Sequence, residues 1–162
     1  MMKRSRLLAG ACVALFLAAC ATAPQTTTIA ETTAQRPELS TLNKLVNDAG
    51  LADTLEGPGP YTVFAPTDEA FKAVPAKTMT ALANDKALLK SVLSYHVIPN
   101  KVASTEVKNG PAKTVQGANV ALSKSGTFVT VEDAVVTQAD VPATNGVVHI
   151  IDRVLMPPAA AK

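Results

Sequence analysis

The sequence predicts an α+β fold in which the helices come first and the strands follow. Helical periodicity dominates residues 37–95, whereas short runs rich in β-branched residues, separated by turn residues, fill residues 113–155. This segregation differs from the strand–helix alternation of parallel α/β proteins. A stretch of about 120 residues with globular composition and no internal repeat indicates one domain, which we place at residues 37–158.

The predicted helices are marked by apolar spacing and by caps. The first runs from Pro37 to Gly50, where a glycine ends it. Thr67 is placed to cap a later helix, and Asp68 and Glu69 suit the positive end of its dipole. Two further helices follow, and their apolar residues are Met79, Leu82, Leu88, Leu89, Val92 and Leu93.

The predicted strands are bounded by turn residues. Tyr61–Phe64 is aromatic and β-branched, and Pro66 stops it. The later candidate strands are 113–115, 119–122, 127–131, 134–138 and 147–155. Before the last of them, Asn145-Gly146 predicts a turn with positive φ at glycine.

The first 19 residues have the pattern of a signal peptide. Lys3, Arg4 and Arg6 precede the apolar run Leu7–Ala19, which is shorter than the roughly 20 residues that a membrane-spanning helix needs. The string Leu17-Ala18-Ala19-Cys20 resembles the lipobox of bacterial lipoproteins. That resemblance implies that the signal is cleaved before Cys20 and that Cys20 is acylated, which metabolic labelling with palmitate would detect. The alternative is an ordinary secretory signal in which a cysteine follows the cleavage site by chance.

Cleavage at Cys20 changes the charge and the cysteine content. The mature chain keeps 12 basic and 13 acidic residues, so nothing in its charge favours nucleic acid. Its single cysteine would be acylated, which excludes an internal disulfide. Residues 21–36 are rich in Thr and Ala, so we expect residues 20–36 to form a flexible tether. Residues 159–162 are expected to be a disordered tail.

Three strings carry a family resemblance. They are Tyr61–Phe71 (YTVFAPTDEAF), Leu93–Ile98 (LSYHVI) and Asn145–Pro157 (NGVVHIIDRVLMP). Their order and spacing are similar to those of the fasciclin domain. The resemblance implies a wedge of about seven strands packed against a small helical layer, and a role in contact between surfaces.

The same resemblance suggests four partner-binding residues. In animal fasciclin domains an Asp-Ile pair is implicated in integrin binding, and here Asp140 and Val141 occupy that region. The Tyr-His region of the family, implicated in adhesion, corresponds to Tyr95 and His96. The alternative for the first pair is that the aliphatic residue belongs to the core and the aspartate caps a turn.

No catalytic or cofactor-binding pattern is present in the sequence. His96 and His149 are the only histidines, and without nearby cysteines or a second histidine at short spacing they do not predict a zinc site. We expect both to be packed and hydrogen-bonded. No nucleophile motif or phosphate-binding glycine loop occurs. We therefore expect that the protein is not an enzyme and that it binds no cofactor and no metal.

Two functions remain open at this point. The first is a non-enzymatic adhesion or interaction module of the cell envelope, which binds a protein or glycan and is anchored to a membrane through Cys20. The second is an envelope carrier or sensor of a small hydrophobic ligand. In bacterial lipoproteins, an aspartate directly after the acylated cysteine retains the protein in the inner membrane. This chain has Ala21 at that position, so the resemblance favours an anchor in the outer membrane. Which face of that membrane carries the domain stays open.

Overall fold

The computed structural model describes residues 27–158, so the predicted signal peptide, Cys20 and the tail 159–162 lie outside it. A helical layer occupies much of the first half of the described chain. Its helices are α1 (Ile29–Ala34), α2 (Ser40–Asp48), α3 (Ala52–Glu56), α4 (Asp68–Lys72), α5 (Ala76–Asn84) and α6 (Lys86–Tyr95), with a 3₁₀ turn at Pro37–Leu39. Side-chain caps set several starts, because Thr67 accepts from the Ala70 amide and Asp85 accepts from the Ala87 and Leu88 amides.

Seven strands form the sheet of the described region. They are β1 (Tyr61–Pro66), β2 (Val97–Ile98), β3 (Gly110–Lys113), β4 (Asn119–Ser125), β5 (Phe128–Val131), β6 (Ala134–Ala143) and β7 (Gly146–Ile151). Their order is β2-β1-β7-β6-β5-β4-β3, and only β1 and β7 run parallel. The predicted α+β class, with about seven strands and a small helical layer, is therefore confirmed.

The buried residues fall into two clusters. One lies between the helices and the sheet and includes Leu42, Val63, Leu93 and Val148. The other fills the curve of the sheet around Phe64, Val131 and Ile151. β1 and β7 contribute to both clusters, so this parallel pair connects the helical side of the core with the second cluster.

The folded domain begins earlier than residue 37. Thr28 caps α1 in a reciprocal capping box with Glu31, and Ile29 is completely buried in the first cluster. The prediction of a flexible tether is therefore wrong for residues 27–36. It rested on a composition with one large apolar residue, and that residue, Ile29, occupies a site formed by distant parts of the chain.

The turn at Asn145-Gly146 needs a glycine for a different reason from the one predicted. Gly146 is absent from the glycines with positive φ, which are Gly50, Gly110, Gly117 and Gly126. A Cβ at Gly146 would lie 1.9 Å from the Tyr61 carbonyl oxygen. The glycine is required because two backbones approach each other closely, so the prediction of positive φ there is wrong.

Candidate functional site around Asp140

Asp140 lies on an irregular stretch of β6. The pairing of β6 with β7 shifts register between Val136 and Gln138 and again between Gln138 and Val141. Asp140 has φ of 56°, in the left-handed region that Asn and Asp tolerate better than most residues. The bulge turns its side chain outward, towards the loop that contains Ser104.

The Asp140 carboxylate holds that loop. It accepts a hydrogen bond from the Ser104 amide at 2.7 Å and a second from the Ser104 hydroxyl. Partial burial alone would raise the pKa of Asp140, but the two bonds from Ser104, with His149 and Lys124 nearby, hold its pKa below the usual value. The side chain is therefore ionised at neutral pH.

His149 supports the same bulge from beneath. Its Nδ1 accepts from the Asp140 amide at 3.2 Å, so Nε2 carries the proton and donates to the Val102 carbonyl at 2.8 Å. The ring stacks on Phe64 with centroids 5.6 Å apart. Burial lowers the pKa of His149, which keeps the ring neutral.

Val141 points the other way, into the core. It is buried in the first cluster and pairs with Val148 of β7. Alternation along the strand explains the difference, because neighbouring residues face opposite sides of a sheet. Of the two adjacent residues predicted to bind a partner, only Asp140 is exposed, and the core alternative describes Val141.

Tyr95 and His96 also lie in the core. The Tyr95 hydroxyl donates to the Asn119 carbonyl at 3.0 Å and contacts Glu132 at 3.3 Å. Burial first, and then the Glu132 charge, raise the pKa of Tyr95. His96 is 2% exposed, and its side chain cannot reach a partner without opening the core.

His96 uses both ring nitrogens within the fold. Nδ1 donates to the Val92 carbonyl at 2.8 Å, and Nε2 accepts from the Leu155 amide at 2.9 Å. Burial lowers the pKa of His96 to about 4, so the ring is neutral. The expectation that both histidines are packed and hydrogen-bonded is confirmed.

The surface that remains around Asp140 is polar and mixed in charge. We call Ser104, Thr105, Lys124, Asp140 and Pro142 the Asp140 surface. Lys124 donates from Nζ to the Thr105 carbonyl at 3.1 Å. The sequence did not indicate Ser104 or Lys124, because each lies more than ten residues from Asp140 in a stretch without a motif.

The cavities of the described region are of two kinds. An apolar cavity between the helices and the sheet, lined by residues such as Leu42, Leu55 and Val63, has a volume of about 30 Å³. Small-molecule sites usually measure roughly 300–1,000 Å³. A groove of about 840 Å³ lies open between α4, α5 and residues 153–156. Within residues 27–158, no cluster of three or more His, Cys, Asp or Glu residues is arranged to hold a metal ion.

Across the same described residues, no helix has the length and apolarity to cross a bilayer.

Comparison with known proteins gives one family and several relatives. The profile of the fasciclin domain family matches residues 37–157. Protein sll1483 of Synechocystis sp. is 41% identical over 133 residues, which cover 81% of this chain and 74% of that protein. Immunogenic protein MPB70 of Mycobacterium bovis is 39% identical over 136 residues, covering 81% and 69%.

A cell surface protein and a solved structure complete the comparison. Cell surface glycolipoprotein MPB83 of M. bovis is 40% identical over 136 residues, covering 81% of this chain and 61% of that protein. The FAS1 domain pair of the insect cell adhesion molecule fasciclin I has a TM-score of 0.66 at 18% identity, covering 85% of this chain and 53% of that one. The latter likeness concerns the fold alone.

Proposed function

This chain belongs to the fasciclin domain family, and on that premise we propose that it is a non-enzymatic adhesion or interaction module of the bacterial cell envelope. The observation that carries the proposal is the family match over residues 37–157 together with a relative whose name describes a cell surface glycolipoprotein. The buried histidines support it, because their ring nitrogens are engaged within the fold.

Display of the module depends on Cys20. The proposed anchor is a lipid on this residue, in the outer membrane, with the domain free to contact a protein or glycan on another surface. The Leu17–Cys20 string and the name of the MPB83 relative support this part of the proposal. More than one acyl chain would hold the protein stably, since each buried CH₂ contributes about 0.8 kcal/mol.

The Asp140 surface is the proposed contact site. Asp140 presents an ionised carboxylate in a fixed position, because Ser104 holds it through two hydrogen bonds. A fixed polar group loses little conformational entropy when it binds. Tyr95, His96 and Val141 would act indirectly, by packing the core that holds this surface in shape.

Adhesion assays with three strains test the proposal. Cells carrying wild-type protein should attach to a surface or form biofilm better than a deletion strain, and Cys20→Ala should behave like the deletion. Metabolic labelling with palmitate should tag the wild type and not Cys20→Ala. Equal attachment by all three strains would show that the chain is not an adhesion module.

A charge-reversal variant tests the contact site. Asp140→Lys should lower attachment, whereas Asp133→Lys, at an exposed turn elsewhere, should leave it unchanged. Circular dichroism must show both variants folded. If Asp140→Lys is folded and attaches as well as the wild type, the contact lies elsewhere on the domain.

The carrier hypothesis receives less support from the geometry. The apolar cavity between the helices and the sheet has room for about one water molecule, which is far too small for a lipid, and the larger groove beside α4 and α5 is open to solvent. Native mass spectrometry of the purified domain would decide this question, because a carrier should retain a bound ligand of defined mass.

A further inference from the structure

Helix α1 attaches the start of the described chain to one end of the domain. The Thr27 carbonyl accepts from the Thr144 amide at 2.9 Å, and the Ile29 amide donates to Asn145 Oδ1 at 3.0 Å. The same Asn145 side chain donates to the Leu55 and Gly57 carbonyls at 2.6 and 2.9 Å. We call this end, formed by residues 27–29, 55–60 and 144–145, the near end.

The opposite end lies across the length of the central strands. β1 and β7 both begin at the near end, with Tyr61 paired to Gly146, and both finish at Pro66 paired to Ile151. At about 3.3 Å per residue, the two ends of this pair are roughly 16 Å apart. Beyond Pro66 and Ile151 lie α4 and the groove that contains Lys77 and Arg153, which we call the far end.

The link from Cys20 to the domain is short. Seven peptide units separate Cys20 from Thr27, and at no more than 3.6 Å each they reach about 25 Å at most. A compact domain of this size has a radius of gyration of roughly 14 Å, which corresponds to a diameter of roughly 36 Å. The link is therefore shorter than the domain is wide, because the folded region begins at residue 27, ten residues before the predicted start of the domain at residue 37.

We propose that the domain is presented with the near end facing the lipid surface and the far end facing away from it. This orientation rests on the proposed lipidation of Cys20. The near end carries exposed Glu56, and exposed Glu31 lies next to it on α1, so this end is not built to adsorb to anionic headgroups. The short covalent link, and not charge attraction, sets the orientation, and the groove beside Lys77 and Arg153 lies at the end of the domain away from the lipid.

Energy transfer to labelled lipid tests the orientation. The full-length lipidated protein is placed in phosphatidylethanolamine–phosphatidylglycerol vesicles that contain an acceptor dye on the headgroups. Glu56→Cys and Lys77→Cys, both at exposed positions, each take one donor dye, since an acylated Cys20 leaves the mature chain without another thiol. We expect at least twofold higher transfer efficiency from position 56 than from position 77.

A lengthened link provides the matched control. Twenty Gly-Ser residues inserted after Ala21 raise the maximal reach to about 95 Å, and the difference between the two positions should largely disappear. Equal transfer from both positions in vesicle-bound protein of native length would overturn the orientation and leave the lipid anchor intact. Protein that fails to float with the vesicles would overturn the anchor, and the orientation with it.

Discussion

Asp140 shows how one residue can serve the fold and present a charge at the same time. Its backbone amide bonds to a buried histidine, while its carboxylate closes a loop that is 36 residues away in the chain. The strained left-handed backbone is offset by these bonds, since such conformations persist only where the surroundings fix them. The bonds that hold Asp140 should therefore contribute measurably to stability.

Removing the Ser104 hydroxyl should destabilise the domain modestly. Ser104→Ala deletes a charge-assisted hydrogen bond at a half-exposed site, so we expect a loss of about 1 kcal/mol in the free energy of unfolding. Urea unfolding measures this value. Ser123→Ala, at an exposed position of β4, should change it by less than about 0.5 kcal/mol. Equal effects of the two substitutions would mean that the Asp140 bond adds nothing.

At the scale of elements, α1 and β7 are both placed by contacts with distant residues. α1 has only six residues, which is too short to be stable alone, and it depends on Ile29 in the core. β7 depends on Gly146, which lets it approach β1. Each therefore has a single position at which a small change should disrupt the whole element.

Ile29→Ala should detach α1 from the core. Deletion of a completely buried isoleucine typically costs about 2–5 kcal/mol in the free energy of unfolding, and we expect a value in that range. Hydrogen exchange should also show faster exchange of the α1 amides. Phe128→Ala is the control, because Phe128 is 68% exposed. If Ile29→Ala costs no more than Phe128→Ala, the extension of the domain to residue 27 is incorrect.

Gly146→Ala tests whether glycine is required there because two backbones approach closely or because of its backbone conformation. The added Cβ would collide with the Tyr61 carbonyl, so we expect a loss of more than about 3 kcal/mol, or failure to fold. Gly117→Ala is the comparison: its φ is +105°, but nothing lies within 4 Å of the added Cβ. Conformational strain alone should cost about 1–2 kcal/mol there. Similar losses in the two variants, measured by thermal unfolding, would contradict the close-approach explanation.

These elements also show how far the sequence could be read. Thr67 and the apolar spacing of α2 and α6 are local signals, and the structure has a helix at each of them, although residues 37–39 form a 3₁₀ turn and α2 begins at Ser40. Ile29, Ser104 and Gly146 depend on partners from 36 to 116 residues away, which no local pattern reveals. For the same reason the family resemblance proposed Asp140 and Val141 together and left open whether Val141 belongs to the core, which is where the structure has it.

For the whole molecule, two buried neutral histidines link stability to pH. The folded state lowers the pKa of His96 to about 4 and lowers that of His149 as well, whereas both would titrate near 6.5 in the unfolded chain. Between these values the unfolded state binds more protons, so stability falls as pH decreases. At pH values above the unfolded-state pKa, the two histidines make their full contribution to the free energy of unfolding.

Mild acid should therefore destabilise the domain before the carboxylates titrate. From pH 7 to pH 5 the His96 contribution alone should fall by about 2 kcal/mol, and His149 should add to the loss. Urea unfolding at a series of pH values measures this slope. His96→Gln should flatten the slope even though it lowers stability at pH 7. An unchanged slope in that variant would show that His96 is not the group responsible.

The parallel pairing of β1 with β7 has a consequence for the timing of synthesis. β7 ends at Ile151, near the C-terminal end of the described chain, yet it is an interior strand of the sheet, beside a strand made 85 residues earlier. A nascent chain that has not yet produced β7 lacks the parallel partner of β1 and the residues that β7 contributes to both clusters. The parallel β1–β7 pair can therefore form only after residue 151 has left the ribosome, so the two strands that the sheet places side by side meet late in synthesis.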